Sequence, residues 1–556
     1  MAGPGTELSA RAELAAKCRS CGTCRSVCPV FAEVGTEGSV ARGKVALIRS
    51  VLDGELELSE IFEDRVLLCL NCKACVANCP NDVRVDDLIL AARHDLVESG
   101  RLPLLRRLIF RLLLKRGRLL PPFGRLASFV QRRVLRGLPP GSPLRILLPL
   151  AGIDEHRVFP EFAPRSFMSE APREVAASGV SEGPAAHSGP GVQVPSSGDA
   201  SLAGSDGPSR DAGLGVQELS SGEAALAGSG GPSHDAGPSV PGRPSDDVSE
   251  RTAARSSEGS PERGRIAREA RRVAYFVGCA TNQIYPESGR ATVDALSRSG
   301  VDVVIPRGQI CCGTPVFNSG DYETARAMAR RNARVLRETG ADAVVTGCAS
   351  CGLSLKREYE ETLGLEGGVG IPVFDLSEFL AHRNTARLLA ASLHEEHVPP
   401  EPASSAQPLP SASAPGGDRP SSESTNREKR CVRGAGDPAK LRVTFHDPCH
   451  LVRGQEIVEA PRDILRALPW VEFVEMRDAD RCCGGGGTFS LSHYDISKKI
   501  GERKVAAIRE ADVDVVATEC PACVMQLQDM ATQWGLDVEV MSLADLLALG
   551  PGRAAD

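Results

Sequence analysis

The chain has 556 residues, 65 Lys and Arg against 72 Asp and Glu, a formal net charge of −7, and 19 cysteines. That length supplies several domains with sizeable cores, and the charge balance does not favour nucleic acid as a partner. No run of roughly 18 apolar residues is present to span a bilayer, and the start "MAGPGTELSARAELAAK" lacks the apolar core of a secretory signal, so the cysteines are expected to bind metal rather than pair as disulfides.

Residues 1–100 hold the first eight cysteines in two runs, "CRSCGTCRSVCP" and "CLNCKACVANCP". The order is Cys18, Cys21, Cys24, Cys28-Pro29, and then Cys69, Cys72, Cys75, Cys79-Pro80. Thiolates at two- and three-residue gaps on a tight loop close around one iron–sulfur cube, and the fourth thiolate usually comes from the other run. The expected sets are Cys18, Cys21 and Cys24 with Cys79, and Cys69, Cys72 and Cys75 with Cys28. Each run also carries the four ligands a zinc site needs. The doubled spacing, with a proline after each last cysteine, favours two [4Fe-4S] clusters. The insert "VGTEGSVARGKVALIRSVLDGELELSEIFEDRVLL" reads as helical. Within it, Gly38, Gly43 and Lys44 nearly match a phosphate loop, but Val45 stands where Ser or Thr should hold magnesium, and the match reads as chance.

Residues 101–150 carry twelve Lys or Arg and no acid. "LPLLRRLIFRLLLKRGRLL" reads as a basic amphipathic helix ended near Pro121-Pro122. Its apolar face is expected to pack on the cysteine module, to rest on an anionic membrane surface, or to dock a partner subunit.

Residues 168–272 contain no Phe, Tyr or Trp and are rich in Gly, Ser, Pro and Ala. Such a stretch buries too little apolar surface to offset its chain entropy, so it reads as a disordered linker. It includes an imperfect 24-residue duplication starting at Val192 and Val216. A second aromatic-free linker is expected at 395–438, with Cys431 as a bystander.

Two globular halves remain, 273–392 and 441–549. Each opens with a short apolar run ("RVAYFVG", "LRVTFHD") and has a later one ("ADAVVTG", "VDVVATE"), with amphipathic stretches between. That alternation predicts α/β units with parallel strands. The first half carries Cys279, Cys311-Cys312-Gly313 and Cys348-x-x-Cys351; the second carries Cys449, Cys482-Cys483-Gly484 and Cys520-x-x-Cys523. The matching gaps mark an internal duplication. Five thiols exceed a zinc tetrahedron or a plain cube, which points to a cluster with extra thiolate ligation or an open iron. One zinc per half with a spare cysteine stays open as the alternative. Gly484 to Gly487 fit a close approach of backbone to metal. His446, His450 and His493 flank the second constellation, where each is either structural or a source of ligands and protons.

The stretches "CRSCGTCRSVCP", "ARGKVALIRSVLDGE", "CLNCKACVANCP", "FHDPCHL", "RCCGGGGTFSL" and "ECPACVMQL" make the chain resemble the iron–sulfur subunit of glycolate oxidase and of flavin-dependent lactate dehydrogenases. The resemblance covers residues 10–150, 273–392 and 441–549. It implies a multidomain fold, an α-helical ferredoxin module followed by two α/β cysteine-rich (CCG) domains. It implies non-cubane [4Fe-4S] clusters or zinc in the CCG domains, held by all five cysteines of each half. The implied activity is oxidoreductase electron transfer, from a partner FAD-binding dehydrogenase subunit that oxidises lactate or glycolate to an acceptor such as quinone. Separate flavin chemistry agrees with the lack of a G-x-G-x-x-G after a strand. The implied location is cytoplasmic, peripheral at the inner face of the membrane. The same domains occur in heterodisulfide reductase, where the CCG centre reduces a disulfide, and in the iron–sulfur subunit of anaerobic glycerol-3-phosphate dehydrogenase.

Overall fold

The computed structural model describes residues 6–101, 107–135, 157, 160–178, 260–383 and 440–550. The expected linker at 395–438 with Cys431, the duplicated tract within 168–272, and residues 136–150 of the basic segment lie outside the described residues.

Residues 6–101 form a helical module with no strand among the described residues. The helices Ala41–Leu52, Glu60–Leu67 and Val85–Glu98 carry it. Val45, Ile48 and Val51 recur at helical spacing and pack with Leu88, Ile89 and Leu96. The Ser59 hydroxyl caps the middle helix by accepting from Phe62 N at 3.2 Å. The two cysteine loops repeat in their backbone as well as their sequence. Ser20 and Asn71 hold equivalent left-handed conformations (φ 54° and 53°), and so do Gly22 and Lys73. Lys44 lies inside a helix, buried, with its Nζ donating to the Ser39 carbonyl. The near-match to a phosphate loop therefore has no loop.

The basic segment is two helical pieces rather than one. A π-helical turn, Ile109–Leu114, is followed by the helix Leu120–Val130 and a second π-helical turn, Gln131–Leu135. Pro121 and Pro122 open the second helix, where a first-turn proline removes no needed N–H. Phe110 is buried in an apolar cluster with Leu90 and residues of the first half. Leu108, Ile109, Leu119, Phe123, Leu126, Phe129 and Val130 remain exposed.

Order also enters the stretch assigned to the first linker. The helix Phe167–Glu170 leads to strand β1 (Glu174–Val175), and the helix Pro261–Glu269 precedes the first half's opening strand. Phe167, one residue before that stretch, supplies the missing apolar area by packing edge-on to Tyr275 at 6.0 Å between ring centres. β1 then pairs through its backbone, which needs no aromatic side chain.

The first half holds β2 (Arg272–Tyr275), β3 (Asp302–Val304), β4 (Ala343–Thr346) and β5 (Val373–Asp375). The second holds β6 (Leu441–Phe445), β7 (Val471–Phe473), β8 (Val515–Thr518) and β9 (Glu539–Ser542). Sheet orders are β1-β3-β2-β4-β5 and β7-β6-β8-β9. All pairings are parallel except β1 on β3. β4 and β8 are buried along their whole length, as continuous apolar runs in parallel sheets require. In each half the chain leaves its first strand to one side and returns on the other. The crevice at such a switch point, beyond the strand carboxyl ends, is where α/β sheets bind ligands. Cys279 and Cys348 follow β2 and β4, and Cys449 and Cys520 follow β6 and β8.

The halves share one apolar core. Ser288 Oγ donates to Asp545 Oδ2 at 2.6 Å across the junction, and Glu519 accepts from both Ala349 N (2.7 Å, to its carbonyl) and Ser377 N (3.0 Å, to its carboxylate). The helical module docks on both halves. His94 stacks on Tyr322 at 4.6 Å, Arg326 pairs with Glu7 at 2.8 Å, and Arg503 pairs with Glu33 at 2.8 Å.

Candidate metal centres

Two cavities in the helical module are lined by thiols. One is lined by Cys18, Cys21, Cys24, Cys75 and Cys79. The other is walled by Cys28, Cys69, Cys72 and Cys75. Backbone N–H groups already aim at sulfur in both runs: Phe31 N to Cys28, Asn71 N to Cys69 and Val83 N to Cys79, each at 3.4 Å. The first cavity is near solvent, since Cys21 is exposed. The second is buried against the second half, where Cys72 and Cys482 share an apolar cluster edged by Cys28 and Cys449.

In the first half the thiols form an unbroken series of interacting neighbours: Cys279 with Cys311, Cys311 with Cys312, Cys312 with Cys351, and Cys351 with Cys348. The second half repeats it: Cys449 with Cys482, Cys482 with Cys483, Cys483 with Cys523, and Cys523 with Cys520. Cys348 interacts with Cys520, which joins the two series. Cys72 of the helical module faces Cys482 and Cys449 at the other end. A single file of sulfur thus runs from the second module cavity through half two into half one.

The donor chemistry fits metal. Burial pushes the Cys72 thiol up to about 12 and Cys75 well above the ordinary range. Cys312, Cys482 and Cys520 are held well below it, first by hydrogen bonds from Cys311, Cys449 and Cys348. A buried set of thiolates without a cation carries a large desolvation cost, and iron supplies that cation. Local backbone makes room for it. Gly278 has φ +76°, and a side chain there would press on Cys351 Sγ at 3.1 Å; Gly484 has φ +88°, and a side chain would meet the Ser497 carbonyl at 2.4 Å.

The histidines separate. His446 is fully buried beside Cys483 and Cys523, and burial lowers its pKa to about 3, so the ring is neutral. His450 Nδ1 lies 3.0 Å from Ser350 Oγ, itself 3.7 Å from Cys520 Sγ, so it bridges the halves. His493 packs on the Phe489 ring at 5.1 Å, at the edge of a cleft that Cys69 also lines.

Sequence reasoning missed the charged and hydroxyl groups around the thiols. Arg453 is buried facing Cys72, Cys449 and Cys482, and pairs with Asp480 at 2.6 Å. Its position one helical turn after Cys449 was the available signal. Arg462 grips Asp447 with two hydrogen bonds (2.9 and 2.8 Å), fixing the "HDPC" loop, and no spacing rule marks it.

Against this geometry, the family model of the 4Fe-4S dicluster domain matches residues 14–83, and that of the Cysteine-rich domain matches 273–356 and 443–528. The chain is an iron–sulfur protein joining a dicluster module to two cysteine-rich domains. Along nearly its whole length it resembles the probable glycolate oxidase iron-sulfur subunit of Bacillus subtilis (strain 168), at 26% identity over 543 residues, 96% of this chain and 94% of that protein. It is 28% identical over 284 residues to lactate utilization protein A of Geobacillus kaustophilus, covering 50% of this chain and 98% of the relative. It is 33% identical over 277 residues to a fumarate reductase (CoM/CoB) subunit of Methanothermobacter marburgensis, covering 50% of this chain and 46% of that one. The chain thus spans about half the length of the Methanothermobacter protein. No helix among the described residues is long and apolar enough to cross a membrane.

Replacing Arg462 by Ala strands the buried Asp447 carboxylate. The expected cost is about 3–5 kcal/mol, as for other buried pairs that lose one partner. Denaturant unfolding of anaerobically purified protein reads it as a lowered midpoint, with Arg462→Lys falling between variant and parent.

Proposed function

We propose that the chain is the iron–sulfur electron-transfer subunit of a flavoprotein 2-hydroxyacid dehydrogenase acting on lactate or glycolate. Substrate oxidation belongs to a separate FAD-binding subunit. The observation that carries the reading is the single file of thiols from Cys72 to Cys279. When bound, iron–sulfur clusters take up and release single electrons. Cys18, Cys21, Cys24 and Cys79, and Cys69, Cys72, Cys75 and Cys28, would hold the two cubane clusters. Cys449, Cys482, Cys483, Cys520 and Cys523, and their first-half counterparts, would hold two more centres. The protein's part is to keep these sets adjacent, dry and fixed. Near-full-length likeness to a glycolate oxidase iron-sulfur subunit supports the substrate class.

The acceptor side of this reading is the basic segment. Its exposed Phe123, Leu126 and Phe129 sit among Arg125, Arg132 and Arg133, a pattern suited to an anionic membrane surface beside a quinone-reducing partner.

One structural feature favours a second reading, disulfide reduction at the CCG centre. Cys312 Sγ lies 3.1 Å from Thr314 Oγ1, Thr314 Oγ1 2.6 Å from Ser354 Oγ, and Ser354 Oγ donates to Glu358 Oε2 at 2.9 Å. Glu358 is buried 3.9 Å from Lys73, which pairs with Asp86 at 2.6 Å. Desolvation raises Glu358 to about 7. Reducing one disulfide to two thiols consumes two electrons and two protons, and this chain of hydroxyls is suited to deliver protons to Cys312.

Three outcomes test these readings. The chain purified alone without oxygen should contain iron and sulfide but no flavin, and should oxidise lactate or glycolate with a dye only when the flavin subunit is added; bound flavin in the isolated chain sinks the division of labour. The full chain should co-sediment with anionic but not neutral vesicles, and Leu126→Glu with Phe129→Glu should abolish it. If the second reading holds, dye-driven disulfide reduction should be full below pH 7, where Glu358 is protonated, and fall as pH rises through 7. Glu358→Gln should then be slow on both sides; no turnover across several disulfides removes the reading.

A further inference from the structure

The residue three positions before the first cysteine of each half faces the sulfur and differs between the halves. His446 stands three residues before Cys449, at the carboxyl end of β6. Its counterpart, three residues before Cys279 at the end of β2, is Phe276. Both side chains are fully buried. A phenyl ring suits that surrounding, whereas an imidazole brings two polar nitrogens that need partners.

Neither ring nitrogen of His446 has a hydrogen-bond partner. The backbone around it is committed: its N–H donates to the Ala517 carbonyl at 2.9 Å, and its carbonyl accepts from Thr518 Oγ1 at 3.0 Å. The ring is therefore held in place while its nitrogens stay unspent. The Ala479 carbonyl beside the ring is already committed, accepting from Asp447 N and from Lys504 Nζ, each at 3.1 Å. On the sulfur side, one ring nitrogen, Cys483 Sγ and Cys523 Sγ all lie within 4.8 Å of one another. Ligands bound tetrahedrally at the usual metal–nitrogen and metal–sulfur lengths sit roughly 3.5–3.8 Å apart, so a small closure brings these three onto one ion.

We propose that His446 is a nitrogen ligand of the metal centre in the second half, which makes that centre a mixed nitrogen–sulfur site with Cys483 and Cys523 while the first half, with Phe276, stays all-thiolate. The assignment is independent of which electron donor or acceptor the chain serves. It gives the duplicated halves different donor sets. Both halves keep five cysteines, so the neutral imidazole adds a nitrogen donor to a thiol set that the halves otherwise share.

The test uses the full chain purified without oxygen from cells fed 14N- or 15N-histidine. If the second-half metal is iron, pulsed EPR of the reduced protein should show a directly bonded nitrogen whose coupling follows the isotope. If it is zinc, the zinc-edge absorption should contain a nitrogen at about 2.0–2.1 Å beside sulfur at about 2.3 Å. Either signal should vanish in His446→Phe, which reproduces the first half's residue. His446→Cys should keep the metal, through a thiolate, while losing the nitrogen. A sulfur-only shell, a coupling too weak for a direct bond, or a nitrogen signal that survives in His446→Cys overturns the proposal.

Discussion

The interaction on which the molecule depends is the compensation of buried thiolate charge by metal. A thiolate taken out of water is costly unless a cation stands beside it. Here the thiols of both halves lie in or beside the apolar core, with Cys312, Cys483 and Cys351 inside it. The surrounding groups are arranged for such sites. Glycines with positive φ let the backbone turn close to sulfur, and amides of Phe31, Asn71 and Val83 point at Cys28, Cys69 and Cys79. Cationic Arg453 sits where thiols of the module and of half two converge.

Packing converts separate sites into a series. The helical module buries one of its two cavities against half two and leaves Cys21 of the other exposed. The halves meet where Cys348 neighbours Cys520, beside the Ala349–Glu519 backbone contact. Each junction coincides with a polar lock: Arg503 with Glu33 at the module, Ser377 with Glu519 between halves. Order along the series is therefore set by the docking surfaces.

Duplication kept the thiols and changed what surrounds them. Half one has Thr314, Ser354 and Glu358 leading away from Cys312, where half two has Gly485, Gln526 and Met530 at the corresponding positions. Half two has His446, where half one has Phe276. Two centres built on the same strands thus sit in different protonic and ligand environments. That is a physical basis for giving them different duties in one electron path.

Much of this was legible in one dimension. Cysteines two and three residues apart must share a loop, and a spacing that recurs in two halves requires a duplicated unit; short β-branched runs between amphipathic stretches require parallel strands. The helical character of the first module and the strands at 272–275, 343–346, 441–445 and 515–518 followed from those local rules. The two prolines at 121–122 and the ordered helix at Phe167 did not, because a proline both ends and opens helices, and one aromatic outside a window can order what lies within it. Tertiary structure alone decided which thiol sets touch, that Glu358 lies along a path to Cys312, and that His446 meets Cys483 and Cys523. Spacing governs contacts inside one loop, whereas contacts between distant segments depend on how sheets and helices pack, which no local pattern encodes.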